Sequence, residues 1–405
     1  MKETRKPPHR QPRLNKTIHI LLFLTVLTFA SMAVLNLLPI YLEHLGGTPR
    51  RIGFLMGLFS LASLISRPFV GWSLARFSPK KVMTAGLGSQ LAVIFLYLFV
   101  ERLGWFITMV RVAHGVSVSF IIVSALVIAV QVVPEKQRAY ALGVVSAGFM
   151  LPLLIVPYIA EAIIQKLGFS AFFIFALVFV TVPFISFLFM RMDISGFQEE
   201  NRPDGDGYLG LILRRRVFSI VCLTLVFELA MSAMLSFVPL LTVQSPRLTA
   251  GIFYTCLGGM AVFMRLYVGR RMRFWGNALL IIPAFLMLAA GTLAVYYSFS
   301  NVFLMLAGLA WGLGAGILYP HLSAGVVHGL DPRERGKALS IFAAAVDLGF
   351  FAGPVIFGFL SQGLGVRSAF LPFAGLIFVS SSLFLIWGGR RIFITLPMPS
   401  RRNHP

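Results

Sequence analysis

Charge is scarce in this sequence, and acid is scarcer than base. Only 12% of its 405 residues are charged, and 14 Asp/Glu face 35 Lys/Arg. A water-soluble chain of this length needs far more polar surface, so a soluble globular domain is excluded. Cysteine is nearly missing too. Cys222 and Cys256 both fall in apolar runs, which excludes a disulfide framework and a paired-thiol metal site and leaves them as small packing residues. No GxxxxGK[ST] phosphate loop and no HExxH helix occur, and the glycines at 312–316 follow nothing that reads as a strand, so neither nucleotide hydrolysis nor dinucleotide binding has a site. His321 and His328 lack a third convergent ligand; no metal and no cofactor are expected.

What is present is apolar. Hydrophobic residues make up 58% of the chain and its mean hydropathy is +0.86. Runs of about twenty apolar residues recur from Ile18 to Arg390-Arg391, the length a hydrocarbon core of roughly 30 Å requires of a helix. They are too long and too uniform for the alternating strands of a barrel, and backbone in lipid admits nothing else. We place twelve spans at 18–42, 52–75, 81–101, 103–133, 139–165, 168–191, 217–243, 248–270, 277–297, 301–328, 337–362 and 366–390. The net charge of +21 invites a nucleic-acid reading, but its placement argues against one. With the N-terminus inside, 26 of the 35 Lys/Arg fall on the cytoplasmic side, 6 outside, and three (Arg67, Arg111, Arg265) within spans. That is the positive-inside asymmetry, so both termini are expected in the cytoplasm. The basic N-terminus before an apolar run imitates a signal peptide, but the run continues to Tyr41, beyond a signal core of about 7–15 residues.

The chain repeats itself. Arg67-Pro68-Phe69-Val70-Gly71 at the end of span 2 returns 198 residues later as Arg265-Leu266-Tyr267-Val268-Gly269 at the end of span 8, and Gly53 pairs with Gly251 at the same offset. Pro134 and Arg138-Ala139-Tyr140-Ala141-Leu142 correspond to Pro332 and Arg335-Gly336-Lys337-Ala338-Leu339; Leu167-Gly168 corresponds to Leu364-Gly365. This divides the chain into a basic tail (1–17), a six-helix half (18–191), a polar linker (192–216), a second six-helix half (217–390) and a tail (391–405). Two parallel halves with a site between them are a known plan for alternating access.

These residues carry a resemblance to the major facilitator superfamily over residues 18–390. After span 2, Gly71, Arg76 and the basic pair Lys80-Lys81 match the family's loop motif, whose Asp and second Gly places hold Ala75 and Ser78. In span 4, Arg111 to Ser119 resembles the family's Arg-x-x-Gln-Gly element, with His114 in the Gln place. Val156-Pro157 stands where family antiporters have Gly-Pro, followed by Ala160-Glu161 in place of Gly-Gly. Gly312, Gly314 and Gly316 with Tyr319-Pro320, then Pro332 to Gly336, and Asp347 with Gly353-Pro354, are similar to the bacterial drug and sugar efflux branches. The resemblance implies an all-α fold of two pseudo-symmetric six-helix bundles. It also implies a secondary transporter, no enzyme, in the cell membrane, and coupling through Arg111.

Two acids, Glu228 and Asp347, fall near a predicted midplane, where an ionised carboxylate costs roughly 2.5–3.5 kcal/mol or more, so a purpose is the default. Desolvation favours the neutral acid, which suits a group that loads and releases a proton; otherwise the pair bonds helices together. Arg111 is either a coupling residue or an anchor to helix-end carbonyls. Arg67 and Arg265, nearer the cytoplasmic ends, read as snorkelling or gate residues, as do Gly71, Arg76, Lys80, Lys81, Gly269, Arg138 and Arg335 in the loop motifs. Asn36, His114 and Tyr319 are candidates for the cavity wall, against a background in which intramembrane polar groups serve as modest glue of about 0.6 kcal/mol. Pro157, Gly312, Gly316, Gly353 and Pro354 read as bending and close-packing positions.

The expectation is proton-coupled efflux, by antiport, of a small amphipathic or drug-like solute through a monomer. The partners are the small-molecule substrate, protons and the lipid bilayer, with no nucleic acid. A proton symporter importing a sugar or metabolite is the alternative, and a non-transporting receptor or scaffold is the rival from another class.

Overall fold

The computed structural model describes residues 16–133, 141–142, 145, 148–190, 207–245, 247–271 and 277–386. Among these the ordered elements are helical: α1 (Lys16–Leu35), α2 (Leu38–His44), α3 (Pro49–Arg76), α4 (Pro79–Tyr97), α5 (Trp105–Gln131), a 3₁₀ turn (Leu151–Leu154), α6 (Val156–Phe189), α7 (Tyr208–Leu213), α8 (Arg215–Gln244), α9 (Ala250–Arg271), α10 (Asn277–Tyr296), α11 (Asn301–Val327), α12 (Pro332–Leu364) and α13 (Phe370–Ile386).

Local chemistry explains where several of them start and stop. The Thr48 and Ser78 hydroxyls accept from the backbone N–H of Arg51 and Lys81, each ahead of a proline in the first turn, so α3 and α4 begin at a cap followed by the residue that needs no hydrogen-bond partner. Gly168 has φ +80°, which divides α6 into two crossings; Gly365 has φ +82° and ends α12 before α13. These glycines are repeat equivalents, and each sits where the chain must reverse through the left-handed region.

Among the described residues seven helices, α1 and α2 taken together, are individually long and apolar enough to cross a bilayer, and α9, α10 and α13 are shorter apolar ones. With α4, and with α6 counted on both sides of Gly168, the chain makes the twelve crossings that its apolar runs predict. The surface is inverted relative to a soluble protein. Phe69, Trp105, Phe189 and Phe359 are 62–77% exposed, as side chains facing lipid should be.

The duplication is visible in the packing. In the first half α3 packs on α5, α4 on α5 and α6, and α1 on α6; in the second, α9 packs on α11, α10 on α11 and α13, and α8 on α12. The halves meet along two seams, α3 with α12 and α9 with α6 and the 3₁₀ turn. The seams are themselves equivalent. A Cβ added to Gly53 would lie 2.1 Å from the Pro354 carbonyl, and one added to Gly251 would lie 2.4 Å from the Tyr158 Cα. Backbone meets backbone at both places, which only glycine permits. Both contacts lie at the end of the bundle away from the 192–216 connection; we call this the far end and the other the linker end.

Candidate functional site

Between the halves lies a cavity of about 230 Å³, walled by α1, α3, α5 and residues 149–153 on one side and by α8 and α12 on the other. Asn36, Arg111 and His114 line it. Asn36 occupies the short turn where α1 gives way to α2, so span 1 is interrupted beside the cavity. Most of the remaining wall is apolar: Phe29, Phe59, Phe149 and Phe350 with Met32, Met56 and Met150, relieved by Ser60, Ser232 and Ser236.

Behind the first-half wall is a buried polar network. Arg111 donates from Nε to the Leu55 carbonyl at 2.9 Å and from Nη2 to the Met56 carbonyl at 3.1 Å, and its guanidinium lies over the Phe59 ring at 5.0 Å. Its Nη1 is 3.4 Å from both Tyr97 Oη and His114 Nδ1. His114 Nε2 is 3.0 Å from Gln90 Nε2, and Ser117 donates to Gln90 Oε1 at 2.6 Å. Arg111 therefore bonds helix carbonyls, as an anchor would, and also faces the cavity.

The second-half cluster is off the cavity. Glu228 is 3% exposed and pressed against α12, where a Cβ on Gly349 would lie 2.7 Å from its own Cβ; Arg265 and Asp347 are within its electrostatic reach. Asp347 pairs across the seam with Arg67 of the first half, with Oδ2 and Nη2 2.7 Å apart in an ion pair not aligned as a hydrogen bond. Tyr319 does not line the 230 Å³ cavity. It packs edge-on against Phe342, with the Arg265 guanidinium 5.5 Å from its ring centre.

The loop-motif residues are scattered by comparison. Arg76 stacks over Trp72 at 4.4 Å, Lys80 Nζ donates to the Leu188 carbonyl at 3.4 Å, and Arg335 Nε donates to the Leu330 carbonyl at 3.3 Å. The Ser78 cap holds the Lys81 N–H, and a Cβ on Gly71 would meet nothing within 4 Å. Gly269 lies within α9, and Arg138 lies outside the described residues. The linker end holds a forked pair, in which Arg214 donates to both Glu334 oxygens at 2.8 and 2.7 Å. Among the packing residues, a Cβ on Gly312 would sit 2.4 Å from the Leu257 carbonyl, one on Gly316 2.8 Å from the Met264 Cβ, and one on Gly353 2.1 Å from the Leu229 carbonyl. Pro157 stands in the first turn of α6, just after the 3₁₀ turn that breaks span 5.

Sequence reasoning passed over two residues. Glu161 accepts from the backbone N–H of Ala250 at 3.0 Å and of Gly251 at 2.7 Å, so a carboxylate from the first half caps the first turn of a second-half helix. Tyr254 donates to the Leu235 carbonyl at 2.5 Å, and its hydroxyl is 3.4 Å from the Asn36 carbonyl, bridging the halves at the edge of the cavity. The one available signal was that an acid stood near the end of an apolar span.

A duplicated helical bundle is the arrangement that the comparisons match. The family profile of the Major Facilitator Superfamily fits residues 20–330 and 275–397. The chain belongs to this superfamily. It is 25% identical over 373 residues to the staphylopine export protein of Staphylococcus aureus, covering 89% of this chain and 93% of that one. It is 26% identical over 373 residues to the multidrug resistance protein MdtG of Salmonella choleraesuis, covering 88% and 90%. Among solved structures it superposes on the nucleoside transporter NupG with a TM-score of 0.77 at 14% identity, covering 92% of this chain and 99% of that one. A POT family transporter matches with a TM-score of 0.77 at 11% identity, covering 93% and 96%. As a major facilitator protein the chain is a multi-pass membrane transporter of small molecules and not an enzyme.

Proposed function

We propose that this transporter exports a small amphipathic solute in exchange for protons, with the linker end facing the cytoplasm. The observation that carries the reading is the Arg67–Asp347 ion pair, which joins the halves at 2.7 Å and whose acid can be discharged. A proton added to the Asp347 carboxylate leaves a neutral acid and removes the charge that holds Arg67. The seam then loses its ionic tie and the linker end is free to part. Glu228, buried beside the same group, is the second proton site. The solute occupies the cavity lined by Asn36, Arg111 and His114, so proton and solute act on different walls. The export direction rests on the two relatives named above, an export protein and a multidrug resistance protein. The driving force suffices: each pH unit is worth about 1.4 kcal/mol and each 100 mV about 2.3 kcal/mol per charge.

The test is solute uptake into inverted vesicles under an imposed pH gradient. Solute addition should alkalinise the proton-loaded lumen of vesicles carrying the wild-type chain. Gradient-driven uptake by the Glu228→Gln, Asp347→Asn double variant that equals wild type would remove the proton assignment. Acidification of the lumen with solute entry would make the chain a symporter.

A further inference from the structure

Charge is distributed unevenly around the 230 Å³ cavity. Arg111 lines it, and among the described residues no Asp, Glu or Lys does. That arginine is 3% exposed, and its contacts are with the Leu55 and Met56 carbonyls, Tyr97, His114 and the Phe59 ring. None of these is an anion. A guanidinium has five N–H donors, of which the Leu55 and Met56 carbonyls and the Tyr97 hydroxyl accept three; His114 accepts none, because its Nε2 takes the Gln90 amide and its Nδ1 then carries the proton, so two N–H groups have no acceptor among the described residues, and the formal charge has no partner. Carbonyl dipoles offset part of the cost of burying that charge, but a buried ion without a counter-ion still costs several kcal/mol. The transporter's intramembrane acids are committed elsewhere: Asp347 pairs with Arg67, Glu161 caps α9, and Glu228 lies against Gly349 within reach of Arg265. The counter-ion is therefore missing from the protein at the place where the solute binds.

We infer that the solute is an anionic amphiphile whose carboxylate docks on Arg111 and whose apolar, preferably aromatic, body lies among Phe29, Phe149 and Phe350. A carboxylate takes up the free N–H groups and neutralises the guanidinium in one contact, through charge-assisted bonds each worth about twice a neutral one. Three phenylalanines give the body large apolar area and ring faces to stack against. The volume is below the roughly 300–1,000 Å³ that takes a drug-sized ligand, so a fragment-sized molecule fits the state described. The inference rests on the transport reading for what the cavity is for, and it reverses the preference for cations that two midplane acids would suggest, because those acids do not line this cavity.

The experiment uses the full chain in lipid nanodiscs and three probes with one shared body: 2-naphthylacetate, 2-naphthylacetamide and 2-(2-naphthyl)ethylammonium. Calorimetric titration should find the acetate about tenfold or more tighter than the amide, as a charge-assisted bond of 1.5–3 kcal/mol requires, and the ammonium weakest. Arg111→Gln should bring the acetate down to the amide's affinity. Because Arg111 also ties α5 to α3, Ser60→Asp serves as the second variant. Ser60 lines the cavity one turn beyond Met56, so a carboxylate there should neutralise the site and erase the acetate preference. Equal or undetectable binding of all three probes, tighter binding of the ammonium, or an acetate preference that survives Ser60→Asp overturns the inference. Counterflow in proteoliposomes separates it from the reading beneath it. Exchange of the ammonium but not the acetate keeps a transporter and ends the anion site. Acetate preference without any exchange keeps the anion site and ends transport.

Discussion

The two halves repeat the same helices and the same packing, yet they carry opposite polar clusters in different places. In the first half Arg111, His114, Gln90, Tyr97 and Ser117 form a basic, hydrogen-bonded network that opens on the cavity. In the second, Glu228, Asp347, Arg265 and Tyr319 gather behind the cavity wall and reach the first half through Arg67. The equivalent of Arg111 is Gly308, which instead packs where an added Cβ would be 2.5 Å from the Phe253 carbonyl. A duplicated scaffold thus carries different polar groups in its two copies: one presents a cation to the cavity, and the other gathers its acids outside the cavity wall.

The largest expected effect tests that division directly. The Glu228→Gln, Asp347→Asn double variant should lose gradient-driven uptake to background while solute counterflow without a gradient persists; loss of both together would mean that the acids serve the solute as well. Next is Glu161→Gln at the far end. The cap would lose its charge and one oxygen acceptor, a cost of about 1–3 kcal/mol or some 5- to 150-fold in the population of the closed far end. A thiol placed at Leu235 should become correspondingly faster to label from that side, and unchanged labelling would deny Glu161 a closing role. Gly353→Val should overpack α12 against α8 by about 1–3 kcal/mol and lower the unfolding midpoint, whereas Gly71→Val, at a position with open space, should leave it in place. The smallest effect is expected at Arg76→Ala. It loses one exposed stack on Trp72 worth about 0.5–1 kcal/mol and should slow uptake by no more than a few-fold.

Which parts of this were legible in the sequence follows from the range of the interactions. Apolar run length depends only on local composition, so the spans could be counted directly, and the fixed offset of Gly53 and Gly251 exposed the duplication before any packing was known. Asn36 and His114 are legible as wall residues because helix position fixes membrane depth, whereas Arg111, expected as a coupling residue or an anchor, lines the same cavity. Depth does not fix rotation, and so Tyr319, at a suitable depth, faces Phe342 and Arg265 rather than the 230 Å³ cavity. Partnerships between residues far apart in sequence were illegible for the same reason. Glu161 finds its two backbone donors 89 and 90 positions along the chain, and Asp347 finds Arg67 in the other half.

The bare contact of Gly53 with Pro354 has a mechanical consequence. Backbone makes the closest approach there, and the point is a natural fulcrum for α3 against α12. From Gly53 the lever arm along α3 to Arg76 is about 35 Å at 1.5 Å per residue, so a tilt of about 10° sweeps the opposite mouth through ~6 Å. Arg67 lies about 21 Å along α3 from Gly53, so the same tilt carries it ~4 Å, and parting it from Asp347, now 2.7 Å away, is the toll on that swing.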